Sequence, residues 1–141
     1  MKFLILFFLT ITTIFANSSK EILLLHSYNN GLKWTDGITQ GIKEILDKYP
    51  EFELTIEYMD SKKIDSQEYF DILMNLYEKK FSNRKYSVVI AADNYAYEFV
   101  LKNHKKLFDE SSVVFTGVEN FDKDFIPLEL KKYVTGVVEY K

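Results

Sequence analysis

The feature that most limits the fold of this sequence is the alternation of short apolar runs with longer segments of helical periodicity. Residues 21–26 (EILLLH) and 86–91 (YSVVIA) are continuous apolar runs, which are typical of strands buried on both faces. Residues Phe52–Tyr58 alternate between apolar and polar side chains, which indicates an edge strand with one wetter face. Residues 112–115 and Val134–Val138 predict two more strands, so the chain is expected to contain five.

Three helices are predicted between the first four strands, because apolar residues recur there at intervals of three and four. Each helix is preceded by short polar residues, which can accept hydrogen bonds from its first unpaired N–H groups. The expected N-caps are Thr35, Asp65 (in a capping box formed by residues 65–68) and either Asp93 or Asn94. The connection before the fifth strand should be irregular, with one helical turn near residues 127–130.

Strands that alternate with helices favour an α/β fold, in which a parallel sheet carries helices on both faces. Right-handed crossovers leave few arrangements, and we expect the doubly wound order 2-1-3-4-5 in a three-layer αβα architecture. The central strands and two of the helices should supply the hydrophobic core. Its expected members are Leu23, Leu25, Ile42, Leu73, Val88, Ile90, Val113 and Phe115.

The first sixteen residues have the pattern of a secretory signal peptide. A short basic start is followed by an apolar run over residues 3–14, and a small residue, Ala16, precedes a polar stretch. The run is shorter than the roughly 20 apolar residues that a membrane-spanning helix needs. We therefore expect cleavage after Ala16, a periplasmic location and a mature domain over residues 17–141. An uncleaved anchor or a buried first strand is the alternative.

Composition and spacing argue against several other functions. The net charge is −3 and no basic run is present, so nucleic acid is not an expected partner. The chain has no cysteine, and its two histidines, His26 and His104, do not share a spacing that suits a metal, so neither metal nor cofactor is expected. Ser27 is not in a G-x-S-x-G turn. An enzyme is therefore not expected.

The chain also shares two features with phosphoacceptor receiver domains, namely Asp93 after the third strand and Thr116 at the end of the fourth. The acidic residues that would hold a divalent cation after the first strand are absent, since His26, Ser27 and Tyr28 stand there. We interpret the likeness as a consequence of shared architecture.

Polar and aromatic side chains follow each of the first four strands. In a doubly wound sheet, the carboxyl ends of the strands meet at one edge, and ligands bind there near the point where strand order reverses. The same residue types also build turns and helix caps, which is the alternative role for any one of them. Residues expected at this edge include Ser27, Tyr28, Asp60, Asp93, Asn94, Glu119 and Asn120.

Five segments, taken in order, resemble the first lobe of a family of substrate-binding proteins of ABC transporters, which have the type I periplasmic-binding-protein fold. The segments are residues 22–42, 57–63, 91–99, 113–121 and 134–139. The family includes extracytoplasmic sensor domains of bacterial histidine kinases and diguanylate cyclases, as well as solute-binding components of transporters. The resemblance implies that ligand is held in a cleft between two lobes.

Carried over position by position, the resemblance implies cleft-facing residues at Ser27, Tyr28, Trp34, Asp60, Asp93, Asn94, Glu119 and Asn120. Glu119 departs from the pattern, which more often has an amide there, so the ligand preference is expected to differ. The chain reaches Lys141 where a second lobe would begin, which suggests a truncated or split gene product, or a lone lobe that pairs with another chain.

The expected function is therefore the binding of a small polar or aromatic solute outside the cytoplasm, without catalysis. Expected partners are a second lobe and a membrane sensor or transporter subunit, as in a two-component system or an ABC transporter. The alternative is a protein-interaction domain that pairs through its exposed cleft face. Saturable binding of a small molecule would favour the first interpretation.

Overall fold

The computed structural model describes residues 20–138 as a five-stranded parallel sheet with helices on both faces. The elements are β1 (Lys20–His26), α1 (Lys33–Leu46), β2 (Phe52–Tyr58), α2 (Gln67–Phe81), β3 (Tyr86–Ala92), α3 (Asn94–Leu107), β4 (Ser112–Val118) and β5 (Val134–Val138). The strand order is β2-β1-β3-β4-β5, which confirms the predicted α/β fold and order. The predicted signal peptide, residues 1–16, and the expected mature start at Asn17 lie outside the described residues.

The long connection between β4 and β5 contains two short 3₁₀ turns, Lys123–Phe125 and Leu128–Leu130. The second was predicted from the sequence and the first was not. Ile126 and Leu130 are buried and belong to the main core, so the connection packs against the sheet although it contains no full helix. Within the described range, no helix is both long and apolar enough to cross a membrane.

The two faces of the sheet are covered unequally. Helices α2 and α3 pack on the face that carries Leu23, Leu25 and Val113, which are 0% exposed. We call this the α2–α3 face. The opposite face, which we call the α1 face, is covered by α1 over β1, where the His26 Nε2 atom lies 2.8 Å from the Thr39 hydroxyl oxygen.

The unequal cover corrects the predicted core at three positions. Val88 and Ile90 point to the α1 face and are half-buried, because α1 lies over β1 and leaves β3 and β4 partly open. Ile42, on α1 itself, is also half-buried. The fully buried residues of β3 are instead Val89, Ala91 and Ala92, two of which lie on the α2–α3 face.

Two predicted helix caps are also wrong, by three residues at α1 and by one residue at α2. Helix α1 begins at Lys33, and its capping position is Leu32, which has no side-chain oxygen; Thr35 lies inside the helix and is buried. Helix α2 is capped by Ser66 rather than Asp65, since the Ser66 hydroxyl accepts a hydrogen bond from the Tyr69 N–H at 3.3 Å.

Candidate functional site

The carboxyl edge of the sheet is organised around a contact between Trp34 and Asp93. Trp34 lies in the first turn of α1, and Asp93 directly follows β3. The indole N–H of Trp34 donates to both carboxylate oxygens of Asp93, with N···O distances of 3.2 Å and 3.2 Å. Asp93 is 8% exposed, whereas Trp34 is 47% exposed. A buried carboxylate is therefore capped by an aromatic side chain that still faces solvent.

Gly117, near the end of β4, makes this contact possible. Its φ is +70°, a conformation that L side chains rarely adopt. A Cβ atom at this position would lie 3.0 Å from the Trp34 ring and 3.2 Å from an Asp93 carboxylate oxygen. The missing side chain therefore lets the indole approach the ends of β3 and β4 closely.

Asp93 has an unusual backbone and does not serve as a helix cap through its side chain. Its φ of 70° and ψ of 171° lie in a region that is essentially restricted to glycine and costs on the order of 1–3 kcal/mol. It occupies the N-cap position of α3, yet its carboxylate accepts no capping hydrogen bond.

The capping role at α3 belongs to Ser27. The Ser27 hydroxyl accepts a hydrogen bond from the Ala96 N–H at 2.8 Å and donates to the Ala92 carbonyl oxygen at 2.8 Å. Ser27 is 0% exposed, so the structure places it beneath the site as a support that joins β1, β3 and α3. Because Ser27 supplies the capping hydrogen bond, the Asp93 carboxylate is available to accept from the Trp34 indole.

Tyr28 lies next to this pair. Burial raises the pKa of its hydroxyl above the usual value, and the nearby Asp93, Tyr95 and Glu119 raise it further. The Lys62 ammonium lies 5.7 Å from the centre of the Tyr28 ring, within the range of a cation–π contact. Tyr28 is therefore a neutral phenol at neutral pH, in a setting that favours a donated hydrogen bond over a phenolate.

Asn94 and Glu119 join the loops after β3 and β4. The Asn94 side-chain amide donates to the Glu119 carbonyl oxygen at 3.0 Å, and its oxygen accepts from the Glu119 N–H at 2.9 Å. This double contact holds the Glu119 backbone beside the first turn of α3. Both residues are half-buried, so the Asn94 side chain supports the shape of the edge.

Asp60 and Asn120 lie farther from the Trp34–Asp93 contact. Asp60 forms an ion pair with Lys63 at 3.1 Å. Burial raises the pKa of Tyr69, and Asp60 raises it further, which places Asp60 near the first turn of α2. Asn120 is exposed. Both have positive φ, 54° and 53°, as Asp93 does. Strained non-glycine residues therefore follow three of the strands at this one edge, a distribution that is common at functional sites.

The structure thus brings Tyr28, Trp34 and Asp93 together, with Asn94 and Glu119 beside them. Two further neighbours, Lys62 and Tyr95, were not selected from the sequence. Lys62 belongs to a polar loop and Tyr95 to the first turn of a helix, and both patterns are ordinary for exposed residues. Lys62 is distinguished by its contact with the Tyr28 ring, and Tyr95 by the increase that it adds, after burial and Asp93, to the pKa of Tyr28.

Cavities do not single out this edge. A groove of about 220 Å³ between α2 and α3 is lined by the apolar and aromatic side chains of Phe70, Met74, Tyr95 and Phe99 together with polar and charged ones. A hollow of about 210 Å³ adjoins Asn94, Glu119 and Asn120. Both are smaller than the roughly 300–1,000 Å³ of typical ligand pockets. The groove shares Tyr95 with the surroundings of Tyr28, but Trp34 and Asp93 do not line it. The candidate site is therefore marked by its converging polar groups and not by a cavity.

Over residues 20–138, no group of three or more His, Asp or Glu side chains is placed to hold a metal ion. Comparison of the chain with known protein families, with curated proteins and with solved structures gives no match. The contacts of its own residues are therefore the structural support for the candidate site.

Proposed function

We propose that the chain is an extracytoplasmic lobe that binds a small polar or aromatic solute without transforming it. The contact between Trp34 and Asp93 carries the proposal. A buried carboxylate in a strained backbone, which accepts hydrogen bonds from a half-exposed indole, is positioned at the sheet edge where doubly wound folds bind ligands. A ligand N–H or O–H can replace the indole N–H at Asp93, while its apolar part lies against Trp34 and Tyr28.

The sequence resemblance to the first lobe of periplasmic binding proteins supports the same proposal. In such proteins the ligand is enclosed between two lobes, and this chain supplies one. The second would come from a further polypeptide segment or a membrane sensor or transporter subunit. An open edge leaves each ligand hydrogen bond in competition with water, so the net gain per bond is only about 0.5–1.5 kcal/mol. Weak binding by the lobe alone is therefore expected.

The alternative, a protein-interaction domain that pairs through this edge, is favoured by the exposure of Trp34, which is 47%. Tryptophan is enriched at protein interfaces. The two functions differ in what moves the indole: a small solute in the first case and only a protein partner in the second.

The export part of the proposal predicts a defined N-terminus. Material recovered from outside the cytoplasm should begin at Asn17, because cleavage after Ala16 removes the apolar run. Intact-mass measurement distinguishes this product from one that retains residues 1–16, and the retained form would support the anchor alternative.

The binding part is tested by fluorescence, because Trp34 is the only tryptophan of the chain. The chain is titrated with amino acids, purines and small organic acids, alone and with the second lobe of a related binding protein. We expect a saturable change in indole emission. A ligand at about 100 times its Kd should raise the free energy of unfolding by about 2.7 kcal/mol. No saturable change with any of these solutes, together with a change on adding a protein partner, supports the alternative instead.

Two substitutions separate a binding role of Asp93 from a structural one. Asp93→Gly relieves backbone strain of about 1–3 kcal/mol but loses a charge-assisted hydrogen bond of about 1.5–3 kcal/mol, so the free energy of unfolding should stay near that of the wild type. The stabilisation by ligand should nevertheless disappear. Asp109→Asn, an exposed carboxylate at the other end of the sheet, is the matched control and should keep it. Ligand stabilisation that survives Asp93→Gly contradicts the proposed site.

A further inference from the structure

The two edge strands of the sheet differ in how they are protected against pairing with another strand. Edge strands expose unpaired N–H and C=O groups, which proteins usually shield with charged side chains. β2 carries Glu53 and Glu57, whereas β5 has the sequence VTGVV, with no charge and no proline. On β5, Val137 is 69% exposed. Among the described residues, β5 is therefore the less protected edge.

The hydrogen bonds to β4 show which backbone groups of β5 point outward. The Val113 N–H donates to the Tyr133 carbonyl oxygen at 2.7 Å, and Val113 is paired with Val134. In a parallel ladder this pattern directs the N–H and C=O of alternate residues, here Tyr133, Thr135 and Val137, toward β4. The corresponding groups of Val134, Gly136 and Val138 then face away from the sheet.

These outward groups are self-complementary. A two-fold axis at Gly136 places Gly136 opposite Gly136 of a second copy, and Val134 opposite its Val138. Each facing pair of this kind exchanges two hydrogen bonds in an antiparallel ladder, which gives roughly six in all. Thr135 then lies opposite Val137 of the second copy, a pair of β-branched side chains that suits cross-strand packing. We propose that two copies of this chain pair antiparallel through β5, forming one continuous sheet.

The same operation at the other edge is unfavourable. A two-fold axis at Thr55 of β2 would place Glu53 opposite Glu57 of the second copy, and like charges directly opposite each other destabilise a sheet. The second copy would also meet the charged side chains of Lys80, which pairs with Glu57, and Arg84, which donates to the Thr55 hydroxyl. The sequence thus disfavours self-pairing at β2 while permitting it at β5. This inference concerns a surface apart from the proposed ligand site and does not depend on it.

Cysteine cross-linking tests the register directly, because the chain has no cysteine of its own. Facing residues of a non-hydrogen-bonded pair have Cα atoms about 4.5 Å apart, which a disulfide can bridge. Full-length T135C and V137C chains are therefore mixed and oxidised. The mixture should form several-fold more cross-linked dimer than either variant alone, since identical positions lie on a diagonal at about 7–8 Å. A mixture of L54C and I56C, which flank Thr55 and leave both glutamates in place, is the matched control at β2 and should not cross-link.

Sedimentation equilibrium supplies the second readout. The wild-type chain should be dimeric, and Val137→Lys should make it monomeric, because a charge on the edge opposes strand pairing. Its thermal melting should stay cooperative, since Val137 is exposed. A monomeric wild-type chain overturns the proposal and points instead to an occupant of β5 from a different polypeptide. Equal cross-linking in the mixture and in the single variants also overturns the proposal, because residues 135 and 137 of the two copies would then not lie opposite each other.

Discussion

Leu25→Ala should lower the free energy of unfolding by about 2–5 kcal/mol, the usual loss when a fully buried leucine becomes alanine. Leu25 is 0% exposed, and its strand β1 is paired on both sides, with β2 and with β3. Its side chain lies on the α2–α3 face within the main core cluster. The cavity left by the substitution is surrounded by paired strands and packed helices, so it has little opportunity to collapse.

Val88→Ala is the comparison that makes this result informative. Val88 is half-buried on the α1 face, so its two methyl groups are only partly removed from water and the loss should be about 1 kcal/mol or less. Urea denaturation of the two variants and the wild type gives both values. Equal losses at the two sites would mean that the α1 face over β3 is covered as fully as the α2–α3 face.

The strand order could be predicted from the sequence because few topologies fit alternating strands and helices with right-handed crossovers. The unequal cover of the two faces of the sheet could not be predicted in this way. Residues 86–91 form a continuous apolar run, which indicates burial on both sides, and neither Val88 nor Val89 carries a local signal of its face. The side chain of Val88 is partly exposed because α1 lies over β1, as the contact between His26 and Thr39 shows.

The helix caps and the candidate site show a similar limit. An aspartate before a helix predicts a cap, and Asp93 holds that position without capping through its side chain. The hydroxyl that does cap α3 comes from Ser27, which is 69 residues away from Ala96 in sequence. Local pattern therefore places these residues at the carboxyl ends of the strands, whereas which side chains support the edge and which are exposed depends on long-range contacts.

His26 is a buried histidine that titrates differently in the folded and unfolded chain. It is 0% exposed, stacks on Tyr58 with ring centres 5.3 Å apart, and contacts Thr39 through Nε2. Its Nδ1 atom is buried with no hydrogen-bond partner among the described residues. Burial lowers the pKa of His26 from 6.5 to about 4, although the nearby Asp36 carboxylate acts in the opposite direction.

This pKa predicts that acid destabilises the fold through His26. Below pH 6.5 the unfolded chain binds a proton that the folded chain resists until about pH 4, so the free energy of unfolding falls as the pH drops through that window. A pKa difference of about 2.5 at 1.36 kcal/mol per unit sets the His26 contribution at about 3 kcal/mol.

Urea denaturation from pH 7 to pH 4 should therefore show a larger loss in the free energy of unfolding for the wild type than for His26→Gln, which has no titrating group there. The difference between the two chains removes the contribution of the carboxylates common to both. Parallel curves, or an NMR titration midpoint of the His26 ring near 6.5, would show that water reaches the imidazole beneath α1.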